Sequence, residues 1–404
     1  MTLRKKASHG ISRRMVAVGL AMTALGVRRG LGQSAPIKIG SILSLTGPLS
    51  IISLAQIKGV ELAIDEINSA GGVLGRKFEL VNRDSGSEPV RAVNAAKELI
   101  FSEKVNVVIG PGSSAEGLAS TPVLASGNMP NIILAQVDEV IDPKKYPYAF
   151  RAANTNTQQI SVLNDYALKL IAKDSSKGKL ALIGDTGAYG MVTAKQAEEK
   201  LLASGIKPVY RANISVAKTD MTDDLTKAKD AGANMIIAWI GGGSPFARLL
   251  NARGNLKWDV PVLGHPLIMW PDNRNLLDKR EYWDNAFGPG FRSTTFDNNG
   301  NLPEPTKQLL EKMRPRLGGG EVNLFFWWVA LGYDSIYIVA EAIKRGGSTE
   351  PDSIKRSLES IRNLKLVYAT YSWSPEQHNG FPDGDLVMCK ANTYKDGCYG
   401  LAPV

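Results

Sequence analysis

From residue 36 onward the sequence alternates short apolar, β-branched runs with amphipathic helical segments, and it does so in two successive sets. Residues 37–45 read as a buried strand, broken by Thr46-Gly47-Pro48. The helix that follows carries Val60, Ile64 and Ile67 on one face. It stops at Gly71-Gly72, where a left-handed C-cap needs glycine. A strand over 78–83, a helix from Glu88 to Phe101 and a strand from Val105 to Ile109 come next. Gly110-Pro111-Gly112 then turns into a helix capped by Ser113 or Ser114, and a strand follows over 131–134. The second set places strands at 179–183, 207–213, 235–239 and 261–263, with helices at 189–203, 223–230 and 245–253. Strands that are apolar along their whole length must be covered on both faces. They therefore build parallel sheets flanked by helices. The expected fold class is α/β, with two doubly wound, Rossmann-like lobes separated near residues 145–157.

Composition narrows the function classes. With 44 % hydrophobic and 22 % charged residues over 404 positions, the chain is neither disordered nor fibrous. It is long enough for two or three compact units with a substantial core. The mean hydropathy of −0.11 argues against a multi-span membrane protein. The net charge of +9 is concentrated at one end: residues 1–32 hold seven Lys and Arg and no acid, and removing them leaves +2. The body thus lacks the basic excess that attracts nucleic acid. Within 1–32 a basic stretch precedes an uncharged apolar run from Met15 to Val27, followed by Arg28-Arg29-Gly30-Leu31-Gly32. That pattern is an export signal, too short to span a bilayer comfortably. Ser12-Arg13-Arg14 resembles a twin-arginine signal, with Val16 where that pattern prefers Phe, so the general secretory route stays open. No Cys stands near the cleavage point to take a lipid anchor.

Two features lie toward the C-terminus. Leu324 to Ala340 is rich in aromatics and contains Asp334; a helix buried between layers is favoured over a membrane helix. Residues 366–390 read as short strands and turns around Asn379-Gly380 and Asp383-Gly384. Cys389 and Cys398 are the two cysteines. In an exported chain a disulfide closing a small terminal loop is favoured, with two buried free thiols as the alternative.

The motifs that would carry catalysis fail on inspection. Gly112-Ser113-Ser114-Ala115-Glu116-Gly117 has Glu where a nucleophile elbow needs its second Gly. Gly184-Asp185-Thr186-Gly187-Ala188-Tyr189-Gly190 lacks dinucleotide spacing and reads as a strand-to-helix turn. No Walker A pattern occurs, and His265 and His378 cannot build a metal cluster alone. A base role for His265 beside Ser114, as in an exported serine hydrolase, is the remaining catalytic alternative. No cofactor and no metal are expected. The positive reading is binding: helix N-termini at the carboxyl edge of parallel strands offer free N–H groups to a small anion, and two lobes can close on it.

Ser44-Leu45-Thr46-Gly47-Pro48, Lys58-Gly59-Val60-Glu61-Leu62-Ala63 and the string from Ile67 to Lys77 resemble the opening of the leucine/isoleucine/valine-binding protein family. These are type I periplasmic solute-binding proteins of ABC importers. Asp84, Glu88-Pro89, Val107 to Pro111, Ser114, Phe150-Arg151 and the aromatic helix from Phe325 continue the likeness. The resemblance implies two lobes joined by a multi-strand hinge, residues 36–153 with 290–368 and residues 154–289 with 369–404. It implies a periplasmic location, a monomer, and inner-membrane permease subunits as partners. A ligand-sensing subunit of a signalling system is an alternative role. In the family a serine after the Ile-Gly turn and two positions after the next strand grip the ligand carboxylate; these map to Ser114, beside Ser113, and to Ala135 and Val137. The places of the acids that hold a ligand ammonium fall on Asn156 and Pro266, which carry no charge. Tyr189 matches an aromatic that packs on the ligand, Ile52 a position that is often aromatic or polar, and Gly243, His265, Trp239, Met269 and Trp270 are placed at the far wall. The ligand implied is a small aromatic or branched aliphatic carboxylate without a free α-ammonium.

Overall fold

The computed structural model describes residues 1–2 and 35–403. The export-signal reading of residues 1–32 lies outside the described residues. Two sheets carry the architecture. The first has the order β2-β1-β3-β4-β5, with β1 Ile37–Leu43, β2 Phe78–Asp84, β3 Val107–Ile109, β4 Asn131–Ile133 and β5 Ala149–Arg151, all parallel. In the second, β6 Leu180–Asp185, β7 Tyr210–Ile214, β8 Met235–Trp239, β9 Val262–Gly264 and β10 Ala286–Phe291 run parallel. β11, Leu386–Lys390, closes its edge antiparallel to β10. β6 and β8 are buried at every position, as strands covered on both faces must be.

The intervening helices follow the apolar periodicity. They are α1 Ser50–Ser69, α2 Pro89–Lys97, α3 Ser114–Ser126, α4 Asn156–Lys173, α5 Ala188–Ala203, α6 Thr222–Asp230 and α7 Gly243–Asn255. The expected helix over 88–101 divides: Pro89 opens α2, and a π turn over Glu98–Ser102 carries it to the next strand. The strand expected from 207 starts at Tyr210. The aromatic stretch becomes α8, Phe326–Gly346, almost wholly buried. Among the described residues no helix is long and apolar enough to cross a membrane. Asp334 within α8 accepts hydrogen bonds from Val367 N (3.0 Å), Tyr368 N (2.8 Å) and Tyr371 Oη (3.1 Å), which fixes the segment leading away from the first sheet.

α8 lies against α1 at backbone contact. A methyl group on Gly332 would overlap the Gln56 carbonyl oxygen, and one on Gly59 would overlap the Val329 carbonyl oxygen. The favoured disulfide is not formed: Cys389 and Cys398 are both free and buried. The Cys389 sulfur is turned onto the adjacent strand, where it lies against Gly290 and 3.4 Å from Thr295 Oγ1. Burial pushes its thiol up to about 12.

Gly332→Ala is therefore expected to destabilise the protein by about 1–3 kcal/mol, through forced separation of the two helices. Gly320→Ala, with nothing near the added carbon, should stay within about 0.5 kcal/mol of wild type. Urea unfolding of both variants checks the contrast, and equal midpoints would refute the contact.

Candidate functional site

The strands of both sheets point their carboxyl ends at one cleft of about 230 Å³, roughly eight times the volume of a water molecule in the liquid. Each lining segment follows the end of a strand or forms the helix after it. From the first sheet come Leu49, Ile52 and Gln56, then Gly112 to Ala115, then Leu134 and Gln136, with Trp328 of α8 beside them. From the second come Asp185, Gly187, Ala188 and Tyr189, then Val216, Gly241, His265 and Leu267. Among the described residues no Lys or Arg lines the cleft, and Asp185 is its one acidic side chain.

The start of α3 is built by three serines and a glutamate. Ser113 is the N-cap: its Oγ accepts from Glu116 N at 3.4 Å and donates to Glu116 Oε2 at 2.8 Å. Glu116 is fully buried, and its other oxygen accepts from Ser44 Oγ at 2.7 Å and Ser85 Oγ at 2.5 Å. This is a serine N-cap whose hydroxyl, with two more from neighbouring turns, also closes on the Glu116 carboxyl. It spends the Ser113 hydroxyl on the fold. The Ser114 hydroxyl and the Ser114 and Ala115 N–H groups have no partner among the described residues. They form the donor-rich spot of the cleft, at the positive end of the helix.

On the opposite wall the turns are tied to one another, while the start of α5 has no side-chain cap and leaves the Ala188 and Tyr189 N–H groups without a partner among the described residues. Asp185 Oδ1 accepts from Gly187 N and Oδ2 from Gly241 N, both at 2.6 Å, so one carboxylate ties the turn after β6 to the turn after β8. His265 Nδ1 accepts from Leu267 N at 3.3 Å, which leaves the ring proton on Nε2. Burial pulls its pKa down to about 3, so the imidazole is neutral. Tyr189 meets it edge-on with ring centroids 4.8 Å apart and donates its Oη hydrogen to Gln159 Oε1 at 3.1 Å. Burial, with the Asp185 charge, raises the Tyr189 pKa well above its ordinary value. No hydrogen bond joins Ser114 to His265 among the described residues.

Of the residues singled out from the sequence, the fold brings Ile52, Ser113, Ser114, Tyr189 and His265 to the cleft. Ala135 and Val137 are not there. The chain leaving β4 stays extended, so its side chains alternate: Ile133, Ala135 and Val137 enter a core cluster with Val140 and Tyr146, while Leu134 and Gln136 face the cleft. Val137 also gives its carbonyl oxygen to Arg151. Asn156 is fully buried one layer back, its N–H held by the Gln136 carbonyl at 3.0 Å. Gly243 is walled off by Trp270, with Gly241 lining the cleft in its place. Trp239 is fully buried and lies in the core cluster of the second sheet. Gln56, Gln136, Asp185 and Trp328 went unnoticed. Only Asp185 left a local signal, an Asp two residues before a Gly at a strand end, which favours a side-chain-to-backbone turn.

A periplasmic binding protein family model matches residues 36–396, so the chain belongs to that family. The Leu/Ile/Val-binding protein homolog 3 of Brucella melitensis is 25 % identical over 359 residues, covering 87 % of this chain and 91 % of the relative. The branched-chain amino acid transporter substrate-binding protein LivJ of Streptococcus pneumoniae, solved with isoleucine, superposes with a TM-score of 0.75 at 23 % identity, over 90 % of this chain and 97 % of its own. An ABC transporter solute-binding protein of Rhodopseudomonas palustris, solved with p-hydroxybenzoic acid, superposes with a TM-score of 0.73 at 21 % identity, over 91 % of this chain and 96 % of its own.

The neutral His265 has a consequence for stability. Its folded-state pKa lies below the unfolded value, so as pH falls below about 6.5 the unfolded chain takes up a proton that the folded chain does not, and stability is lost. Between pH 7 and 5 this removes about 2 kcal/mol. Wild type should lose that much more than His265→Gln over the interval, measured by urea unfolding at both pH values. Parallel losses would contradict a buried neutral imidazole.

Proposed function

We propose that this protein is the extracytoplasmic receptor of an ABC importer, exported by its N-terminal leader to the periplasm. It captures a small carboxylate with an aromatic or branched aliphatic body and delivers it unchanged to inner-membrane permease subunits. Residues 36–153 with 290–368 form one jaw of the clamp, residues 154–289 with 369–404 the other. The observation that carries this reading is the start of α3: the Ser114 hydroxyl and two unpartnered N–H groups at the cleft, on the positive end of the helix. Leu49, Ile52, Leu134, Val216, Leu267 and Trp328 supply apolar walls for the body of the ligand. The two places where the family sets acids against an ammonium are Asn156 and Pro266.

One observation favours a second reading. Asp185 lines the cleft and could face the ammonium of a branched-chain amino acid, the ligand class that LivJ holds. Titration calorimetry with leucine, benzoate and 4-methylpentanoate separates the two. Acid binding without leucine binding is expected; tight leucine binding with no acid binding would reverse the assignment. Ser114→Ala should weaken the acid by about 1–3 kcal/mol, and unchanged affinity would remove Ser114 from the site.

A further inference from the structure

Asp185 stands at the end of β6, 2 % exposed, on the cleft wall opposite α3. With His265 neutral, it is the one charged side chain among the described residues that line the cleft. Its place is fixed. The N–H groups of Gly187 and Gly241 each hold one of its oxygens at 2.6 Å. Gly190 closes it in from the helix side: a methyl group there would come within 2.4 Å of Asp185 Cγ. The charge is felt nearby, since after burial it is the second cause that raises the Tyr189 pKa.

Without Asp185 the start of α5 would draw an anion of its own. The Ala188 and Tyr189 N–H groups have no partner among the described residues, and they sit at the positive end of a helix. Asp185 sets a negative charge in the turn that leads into that helix, and no Lys or Arg among the described residues lines the cleft to offset it. A second anion on this wall would meet a like charge where water screens it poorly. A fixed charge of the same sign is one means by which a site rejects a wrong partner. Resting on the carboxylate reading above, we propose that Asp185 is a specificity-determining residue that limits the ligand to one negative charge. The carboxylate docks at the start of α3, the end of the ligand towards Asp185 is uncharged, and a dicarboxylate of the same shape is turned away.

Titration calorimetry on two matched pairs tests this: 4-acetylbenzoate against terephthalate, and 4-methylpentanoate against 2-methylglutarate. In each pair a methyl group of the first acid becomes a carboxylate oxygen or a carboxylate in the second. The monocarboxylate of at least one pair should bind wild type tenfold or more tightly than its partner. Terephthalate should gain tenfold or more in affinity between pH 7 and pH 5, as its second carboxyl takes up a proton, and 4-acetylbenzoate should not. The preference should fall towards one in Asp185→Asn and in Asp185→Ser, with thermal melts identifying which variant folds. A ratio taken within one variant is untouched by a general loss of affinity. If wild type binds both members of each pair equally, or a folded variant keeps the full preference, the assignment to Asp185 is overturned while the carboxylate reading stands. If neither variant folds, the wild-type pH profile decides, and a flat terephthalate profile overturns the proposal. If no acid binds and leucine does, the carboxylate reading itself fails.

Discussion

The first N–H groups of a helix have no partner within that helix, and a parallel sheet delivers all its helix starts to a single edge. Here two such edges face one another, so the cleft is defined by how each start disposes of its donors. At α3 the Ser113 hydroxyl and the Glu116 carboxylate are bonded to each other and to Ser44 and Ser85, yet two N–H groups remain. On the far wall Asp185 accepts from both neighbouring turns and His265 Nδ1 holds a third N–H. Among the described residues both walls keep unpartnered helix-start hydrogens, the Ser114 and Ala115 N–H groups on one and the Ala188 and Tyr189 N–H groups on the other.

The donors are useful only if they are held still. The Glu116 side chain is fully buried, and three hydroxyls converge on its oxygens. Each of those hydroxyls comes from a different strand-to-helix turn, so the caged carboxylate also locks the turns after β1, β2 and β3 together. Below them, α8 presses on α1 through Gly59 and Gly332. Gln56 on α1 and Trp328 on α8 consequently reach the cleft from two helices whose spacing is fixed by backbone contact rather than by long side chains.

How much of this was legible depends on distance along the chain. The alternation of strand and helix, the buried aromatic helix and the Ser113 cap are local patterns, and they appear where periodicity and capping chemistry put them. The arrival of Ser114, Tyr189 and His265 at one cleft required the resemblance to a known fold, because they come from different sheets and are far apart in sequence. Ala135 and Val137 turn their side chains into the core: an extended chain turns every second side chain inward, and nothing in Leu-Ala-Gln-Val says which parity faces the cleft. The cysteines failed for a related reason. Nine positions of separation permit a small loop, but side-chain direction is set by β11 lying against Gly290 of β10.

Asp185 is the feature that could turn the cleft toward amino acids, and its geometry weighs against that. Both of its oxygens already accept short backbone hydrogen bonds, and it is almost fully buried. An ammonium brought to it would gain about 4 kcal/mol of attraction at 4 Å in a medium of effective dielectric 20. Removing the ammonium from water forfeits several kcal/mol, and the remaining N–H hydrogens would need acceptors of their own. The family resemblance assigns two acids to that task, where this chain has Asn156 and Pro266. A carboxamide and a proline ring cannot supply the missing charge.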